Sequence, residues 1–203
     1  AWTIVQKLQA RGFRALWAGG CVRDMLMGHT PQDYDIATNA DLQEVIGIFP
    51  NAQEVGAHFG VVRVSLGDET YEVARFRRDV GYSDGRHPDR VEFVDEVEDA
   101  QRRDFTINGM FYDPIADQIL DYVGGQADLK RKRIRTIGDP MDRFAEDRLR
   151  MLRAVRFGCR FQWPIAAATW RAIGALSNEI LRVSRERIRD EVFKILIEGS
   201  APL

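Results

Sequence analysis

Asp33 and Asp35 stand one residue apart in "QDYDIAT", directly before the apolar step of Ile36 and Ala37. On an extended strand residues i and i+2 share a face, so the two carboxylates project side by side, roughly 6–7 Å apart at the backbone. Like charges that close repel unless a cation lies between them. Magnesium binds through a few carboxylates plus phosphate oxygens, and a pair of such ions clamps the attacking and leaving oxygens of an in-line displacement at phosphorus. Upstream, "GGCVRD" begins with a glycine pair that lets a phosphate approach the backbone, and the helix start beyond it offers free N–H groups. Arg23 has two readings, a planar donor to a triphosphate or a structural partner of Asp24.

These groups need strands and turns to hold them. The pattern predicts a helix near residues 3–11, a strand over 14–18, the "GG" turn, and a helix through "CVRDMLMG". A strand around 34–37 and a helix near 41–49 follow. "GVVRVSL" and "TYEVARFR" alternate well enough to be strands, joined into a hairpin by the "GDE" turn. "RDVGYSDGRHPDRVEF" has no apolar period and reads as a loop. From Pro140 onward the pattern is helical: "DPMDRFAEDRLRMLRAVRFGCRF" puts Phe144, Leu152 and Val155 at helical spacings. "SRERIRDEVFKILIEG" does the same with Ile188, Val192, Ile195 and Leu196. The expected fold class is α+β, with a mixed sheet and helices in a head, followed by an all-helical part.

The 203 residues are 45% hydrophobic and 30% charged, ordinary for a soluble globular protein, and no apolar run reaches the length of a spanning helix. No secretory signal opens the sequence, so a cytoplasmic protein without a membrane partner is expected. Cys21 and Cys159 are too few and too far apart for a disulfide framework or a zinc site, and read as buried thiols. Residues 1–126 hold 12 Lys and Arg against 21 Asp and Glu, whereas residues 127–203 hold 17 against 10. An acidic part suited to cations is thus joined to a basic part suited to polyanions, although two solvated faces give the same counts. A dinucleotide-binding dehydrogenase is a poor fit, because "GGCVRD" lacks the G-x-G-x-x-G spacing.

Five motifs in order, "GGCVRD", "DYDIAT", "RRDFTINGM", "GDPMDRFAEDRLRMLRAVRF" and "RERIRDE", resemble the class II tRNA nucleotidyltransferase and bacterial poly(A) polymerase family over nearly the whole sequence. The resemblance implies a template-independent polymerase. Its polymerase beta-like nucleotidyltransferase head would span residues 1–138 and its helical neck 139–203, and it would add nucleotides to an RNA 3′ end. It makes Asp33 and Asp35 the ligands of magnesium (Mg2+), with Glu72 as a third acidic member. Gly20 and Arg23 would contact the phosphates, and Arg103 with Asp104 would meet the sugar.

For "EDRLR" the bland reading is an ion pair: Asp147 and Arg150, spaced i,i+3 on a helix, would contribute about 0.2–0.5 kcal/mol. The resemblance implies base selection. Cytosine and adenine present an amino donor beside a ring-nitrogen acceptor, while guanine and uracil present an acceptor beside an N–H donor. An aspartate accepts and an arginine donates, so the pair matches C and A and opposes G and U. Glu146 would orient Arg150, and Arg153 and Arg156 would anchor triphosphate. "RERIRDE" is expected to brace the neck, without a catalytic role.

Within the family, "VGAHFGVV" and the loop "GYSDGRHPDRV" resemble the CCA-adding type. The expected partners are therefore ATP, CTP and the tRNA 3′ end, with an A-adding enzyme and a poly(A) polymerase as alternatives and a silent nucleotide- or RNA-binding module as a different class. Family members generally continue into body and tail regions absent from this sequence, so weak tRNA binding is expected. Nothing in the sequence fixes an oligomeric state.

Overall fold

The computed structural model describes residues 1–56, 60–82 and 88–198. The helices and strands run α1 Trp2–Gln9, β1 Ala15–Ala18, α2 Gly20–Leu26, β2 Asp35–Thr38, α3 Leu42–Ile48, β3 Ala52–Gly56, β4 Val61–Leu66, β5 Glu69–Arg75, β6 Arg77–Val80 and β7 Arg90–Phe93. They continue with α4 Glu96–Arg102, β8 Met110–Asp113, β9 Gln118–Asp121, α5 Gly125–Lys130, α6 Pro140–Glu146, α7 Leu149–Phe161, α8 Ala167–Leu176 and α9 Arg185–Glu198. The chain forms two compact units. One comprises Ala1–Asp79, Val91–Arg102 and Asn108–Val123; the other comprises Val80–Arg90, Arg103–Ile107 and Gly124–Leu203.

The first unit is built on a seven-stranded sheet of order β3-β4-β5-β2-β1-β8-β9. β2 lies at its centre, antiparallel to β1 and parallel to β5, so the chain must cross over between them through α3 and the β3–β4 hairpin. Alternation along β1 decides the two faces. Ala15 and Trp17 join the cluster of Ile4, Leu8, Val45 and Phe49 from α1 and α3, while Leu16 and Ala18 join Phe76, Ala100 and Phe111. α3 starts with a capping box, in which Glu44 N–H donates to Asp41 Oδ1 (2.8 Å) and Asp41 N–H to Glu44 Oε2 (2.6 Å), a device that stabilises a helix start by about 1 kcal/mol.

The second unit is helical around two clusters, Phe105, Ile107, Ile134, Ala154 and Phe157 in one and Phe144, Met151 and Ala172 in the other. Phe157 stands at the junction of aromatic contacts, edge-on to Phe105 at 5.6 Å and stacked on Phe161 at 5.9 Å.

The mixed-sheet head class and the hairpin of β4 and β5 agree with the sequence expectation. Four expectations are corrected. The segment read as one loop carries β6 and β7, which pair as a two-stranded ribbon; its residues 83–87, like 57–59 of "VGAHFGVV", lie outside the described residues. The helix through "EDRLR" is broken. Asp147 is extended (φ −142°, ψ 108°) and its side chain accepts the Leu149 N–H at 3.1 Å, because an aspartate competes for local N–H groups and restarts a helix better than it continues one. The buried stripe of α7 is Met151, Ala154 and Phe157, not Leu152 and Val155, and the buried residue of α9 is the polar Glu191. Of the two free cysteines Cys21 is buried and Cys159 half-buried.

Candidate active site

In the first unit the acids sit at the N-terminal end of β2. Tyr34 packs edge-on against Trp17 with ring centroids 4.7 Å apart, which anchors the residue between them on one face and turns Asp33 and Asp35 to the other. Both aspartates are exposed. The parallel register Ile36↔Val73 carries Asp35 and Glu72 one step earlier on a shared face, opposite the buried side chains of Ile36 and Val73. The three acids, with Tyr34, Arg63 and Thr70, line a cleft of about 580 Å³. Arg63 stands across from Glu72 in the β4–β5 register, 3.9 Å from it, and both side chains are about half exposed, so the pair adds less than about 1 kcal/mol and leaves Glu72 mobile.

The donor set fits a hard divalent cation: two hydrated carboxylates on one strand end, open to solvent and to a ligand. Among the described residues no group of three His, Cys, Asp or Glu side chains gathers around a single ion position. An ion held by Asp33 and Asp35 would therefore complete its shell with water or phosphate oxygens, which is the usual way magnesium binds.

The glycine turn lies beside the acids, since Ala18 pairs with Asp35. Gly19 has φ 76° and ψ −124°, a region closed to residues with a Cβ, and this reverses the chain from β1 into α2. A Cβ on Gly20 would meet only the Arg23 guanidinium, at 3.6 Å. Arg23 itself is 5% exposed. Its Nε donates to Asp24 Oδ1 (2.8 Å) and its Nη1 to Asn108 Oδ1 (2.6 Å), so the structural partner foreseen in Asp24 is joined by a second one. Asn108 was missed in the sequence; it belongs to "RRDFTIN", but its partner lies 85 residues away. Next to it, burial pushes the Cys21 thiol up to about 11, so the thiol stays protonated at neutral pH.

In the second unit the base-reading candidates are gathered by ion pairs. Arg150 Nη1 donates to Glu146 Oε2 at 2.5 Å, and Glu146 also takes Arg143. Asp147 is not on a shared helix face with Arg150; it occupies the break between α6 and α7, where Arg187 of α9 grips it from Nη1 to Oδ1 (3.2 Å) and from Nη2 to Oδ2 (2.8 Å). Arg153 donates from Nε and Nη2 to Asp104 Oδ2 (2.8 and 2.6 Å). The Asp104 charge outweighs burial and holds the Arg153 guanidinium above its usual range. Arg103 is half-buried at the start of the same segment. Arg156 does not join this group. It is 6% exposed, and its Nε and Nη1 donate to Glu191 (2.7 Å) and Glu198 (3.1 Å) of α9. Arg156, expected with Arg153 to anchor triphosphate, is thus engaged by the carboxylates of α9.

The sequence profile of the "Poly A polymerase head domain" matches residues 15–135, and that of the "Probable RNA and SrmB- binding site of polymerase A" matches 164–203. The CCA-adding enzyme of Lactobacillus helveticus is 42% identical over 196 residues, which cover 96% of this chain and 49% of the relative. That of Staphylococcus aureus is 41% identical over 194 residues, 95% of this chain and 48% of the relative. The chain thus spans about half the length of the curated relatives it matches. Among solved structures, the Bacillus stearothermophilus CCA-adding enzyme in complex with CTP superposes with a TM-score of 0.89 at 38% identity, over 98% of this chain and 48% of that one. A tRNA nucleotidyltransferase complexed with a primer tRNA and an incoming ATP analog gives 0.78 at 29% identity, over 96% and 58%.

Proposed function

Since the chain belongs to the family of the poly A polymerase head domain, we propose that it is the catalytic part of a tRNA nucleotidyltransferase that adds C and A to the tRNA 3′ end by nucleotidyl transfer, as its CCA-adding relatives are named for doing. The observation that carries this reading is that Asp33, Asp35 and Glu72 line one cleft in the first unit. Residues 1–138 form the head in this account and 139–203 the neck, a division that the two profile matches support.

When bound by Asp33 and Asp35, magnesium supplies charge neutralisation for the triphosphate and makes the RNA 3′-hydroxyl easier to deprotonate. The chain's own groups do the rest. Asp33 and Asp35 hold negative charge at fixed spacing on the strand end. Glu72 adds a third acid on a neighbouring strand. Gly20 leaves the backbone open to a phosphate, and Arg23, locked by Asp24 and Asn108, sets a fixed positive charge beneath it. In the second unit Asp147 accepts from the amino group of cytosine or adenine while Arg150 donates to the ring nitrogen, so guanine and uracil oppose both groups. Arg103, Asp104 and Arg153 form a charged cluster suited to the sugar and phosphates. Among the described residues no helix is long and apolar enough to cross a membrane, and the cytoplasm is the compartment proposed for the reaction.

The test is incorporation of labelled CTP and ATP in magnesium by the unmodified chain and by Asp33→Ala and Asp35→Ala. Each substitution is expected to lower the rate by about 100-fold or more while nucleotide binding partly survives. Full activity in either variant would remove the metal-ligand assignment.

A further inference from the structure

Asp147 reads a base only if its carboxylate keeps one orientation, and a single aspartate at a helix break is not held in one by itself. One bond within its own turn and two from α9 supply it. Leu149 N–H donates to Oδ1 (3.1 Å), and the Arg187 guanidinium reaches both oxygens at once, Nη1 to Oδ1 (3.2 Å) and Nη2 to Oδ2 (2.8 Å). Both side chains are largely buried, at 20% and 16% exposure, which strengthens the pair relative to one in open solvent. Each carboxylate oxygen has two lone pairs, so the grip leaves Oδ2 a free acceptor position.

Arg187 is held in turn. It lies in the first turn of α9, where its N–H approaches Ser184 Oγ at 3.5 Å. One turn on, Glu191 accepts from the buried Arg156 of α7, and Glu198 accepts from Arg156 and Arg160. Residues 187, 191 and 198 recur at spacings of one and two turns, so α9 meets α7 through a ladder of ion pairs. The result parallels Arg150, which Glu146 holds at 2.5 Å.

We propose that Arg187 is a specificity-determining positioning residue: it fixes the Asp147 carboxylate as an oriented acceptor, and so sets discrimination for C and A against U and G. The inference rests on the base-reading role proposed for Asp147. Removing Arg187 leaves Asp147 with the Leu149 N–H, free to rotate, so selectivity falls further than overall nucleotide affinity. Arg187→Lys keeps the charge but loses the two-pronged geometry, and restores selectivity in part.

The experiment is equilibrium binding of CTP and UTP in magnesium to this chain and to Arg187→Ala, Arg187→Lys, Asp147→Ala and the double variant Asp147→Ala/Arg187→Ala. Arg189→Ala, which removes an exposed pair with Asp190, serves as the surface control. Arg187→Ala is expected to lower the CTP-to-UTP affinity ratio by about tenfold. Arg187→Lys should fall between it and the unmodified chain, and the double variant should be no less selective than Asp147→Ala. An unchanged ratio in Arg187→Ala, with the ratio lost in Asp147→Ala, overturns the positioning role and leaves the base-reading role standing. An unchanged ratio in Asp147→Ala, or none to lose in the unmodified chain, overturns both. If Arg187→Ala fails to fold, Arg187→Lys decides alone, and a ratio equal to that of the unmodified chain counts against the proposal.

Discussion

At the scale of single residues, the charged groups fall into those left open to a ligand and those consumed by the fold. Asp33 and Asp35 are exposed at a strand end, whereas Asp128 is wholly buried and accepts from Thr106 Oγ1 (2.7 Å), Arg133 (2.6 Å) and Arg135 (2.7 Å). Burial alone raises the Asp128 pKa, but these bonds together outweigh it and hold the carboxyl below its ordinary value. With a folded pKa below the unfolded one, the stabilisation is fully present above about pH 4 and is lost as pH falls through the folded value. Asp128→Asn is therefore expected to lower the melting temperature at pH 7 and to narrow its gap to the unmodified chain in acid, which thermal melts across pH 2–7 would check; a gap constant with pH would contradict this. The shared face of Asp33 and Asp35 at a strand end was legible in the sequence because it depends on neighbours one and two positions away. The second partner of Arg23 and the partner of Asp147 were not, because Asn108 is 85 residues from Arg23 and Arg187 is 40 from Asp147.

At the scale of elements, periodicity located most helices and strands but mistook which side of α9 is covered. Apolar spacing marks Ile188, Val192, Ile195 and Leu196, yet Leu196 is 67% and Ile197 81% exposed, while Glu191 is 4% exposed against α7. A periodic stripe records where apolar residues fall on a helix and carries no information about what packs there. The same limit hid the break after Glu146, where the local bonding of Asp147 overrides an uninterrupted helical pattern. The polar contact of α7 with α9 gives Arg156 a structural role. Arg156→Ala leaves the buried Glu191 with only the half-exposed Lys194 at 3.6 Å and is expected to cost about 3 kcal/mol in urea unfolding, with the CTP-to-UTP ratio unchanged in the protein that remains folded. A loss of triphosphate affinity without loss of stability would return Arg156 to the nucleotide site.

At the scale of the whole molecule, the sheet of the first unit carries the three acids and the glycine turn, and the second unit carries the charged groups proposed to meet a base and a sugar. The order of five motifs made the family legible in the sequence. The make-up of the units was not, since segments 80–90 and 103–107 join residues 124–203 only through contacts far apart in sequence. The most direct test of the account is incorporation of labelled CTP and ATP, in magnesium, onto tRNAs ending before the terminal CCA, after C, after CC and after CCA. The account predicts completion of each unfinished end and no addition to the finished one. Addition of A alone to the CC end, long A tails, or no incorporation of either nucleotide would contradict it.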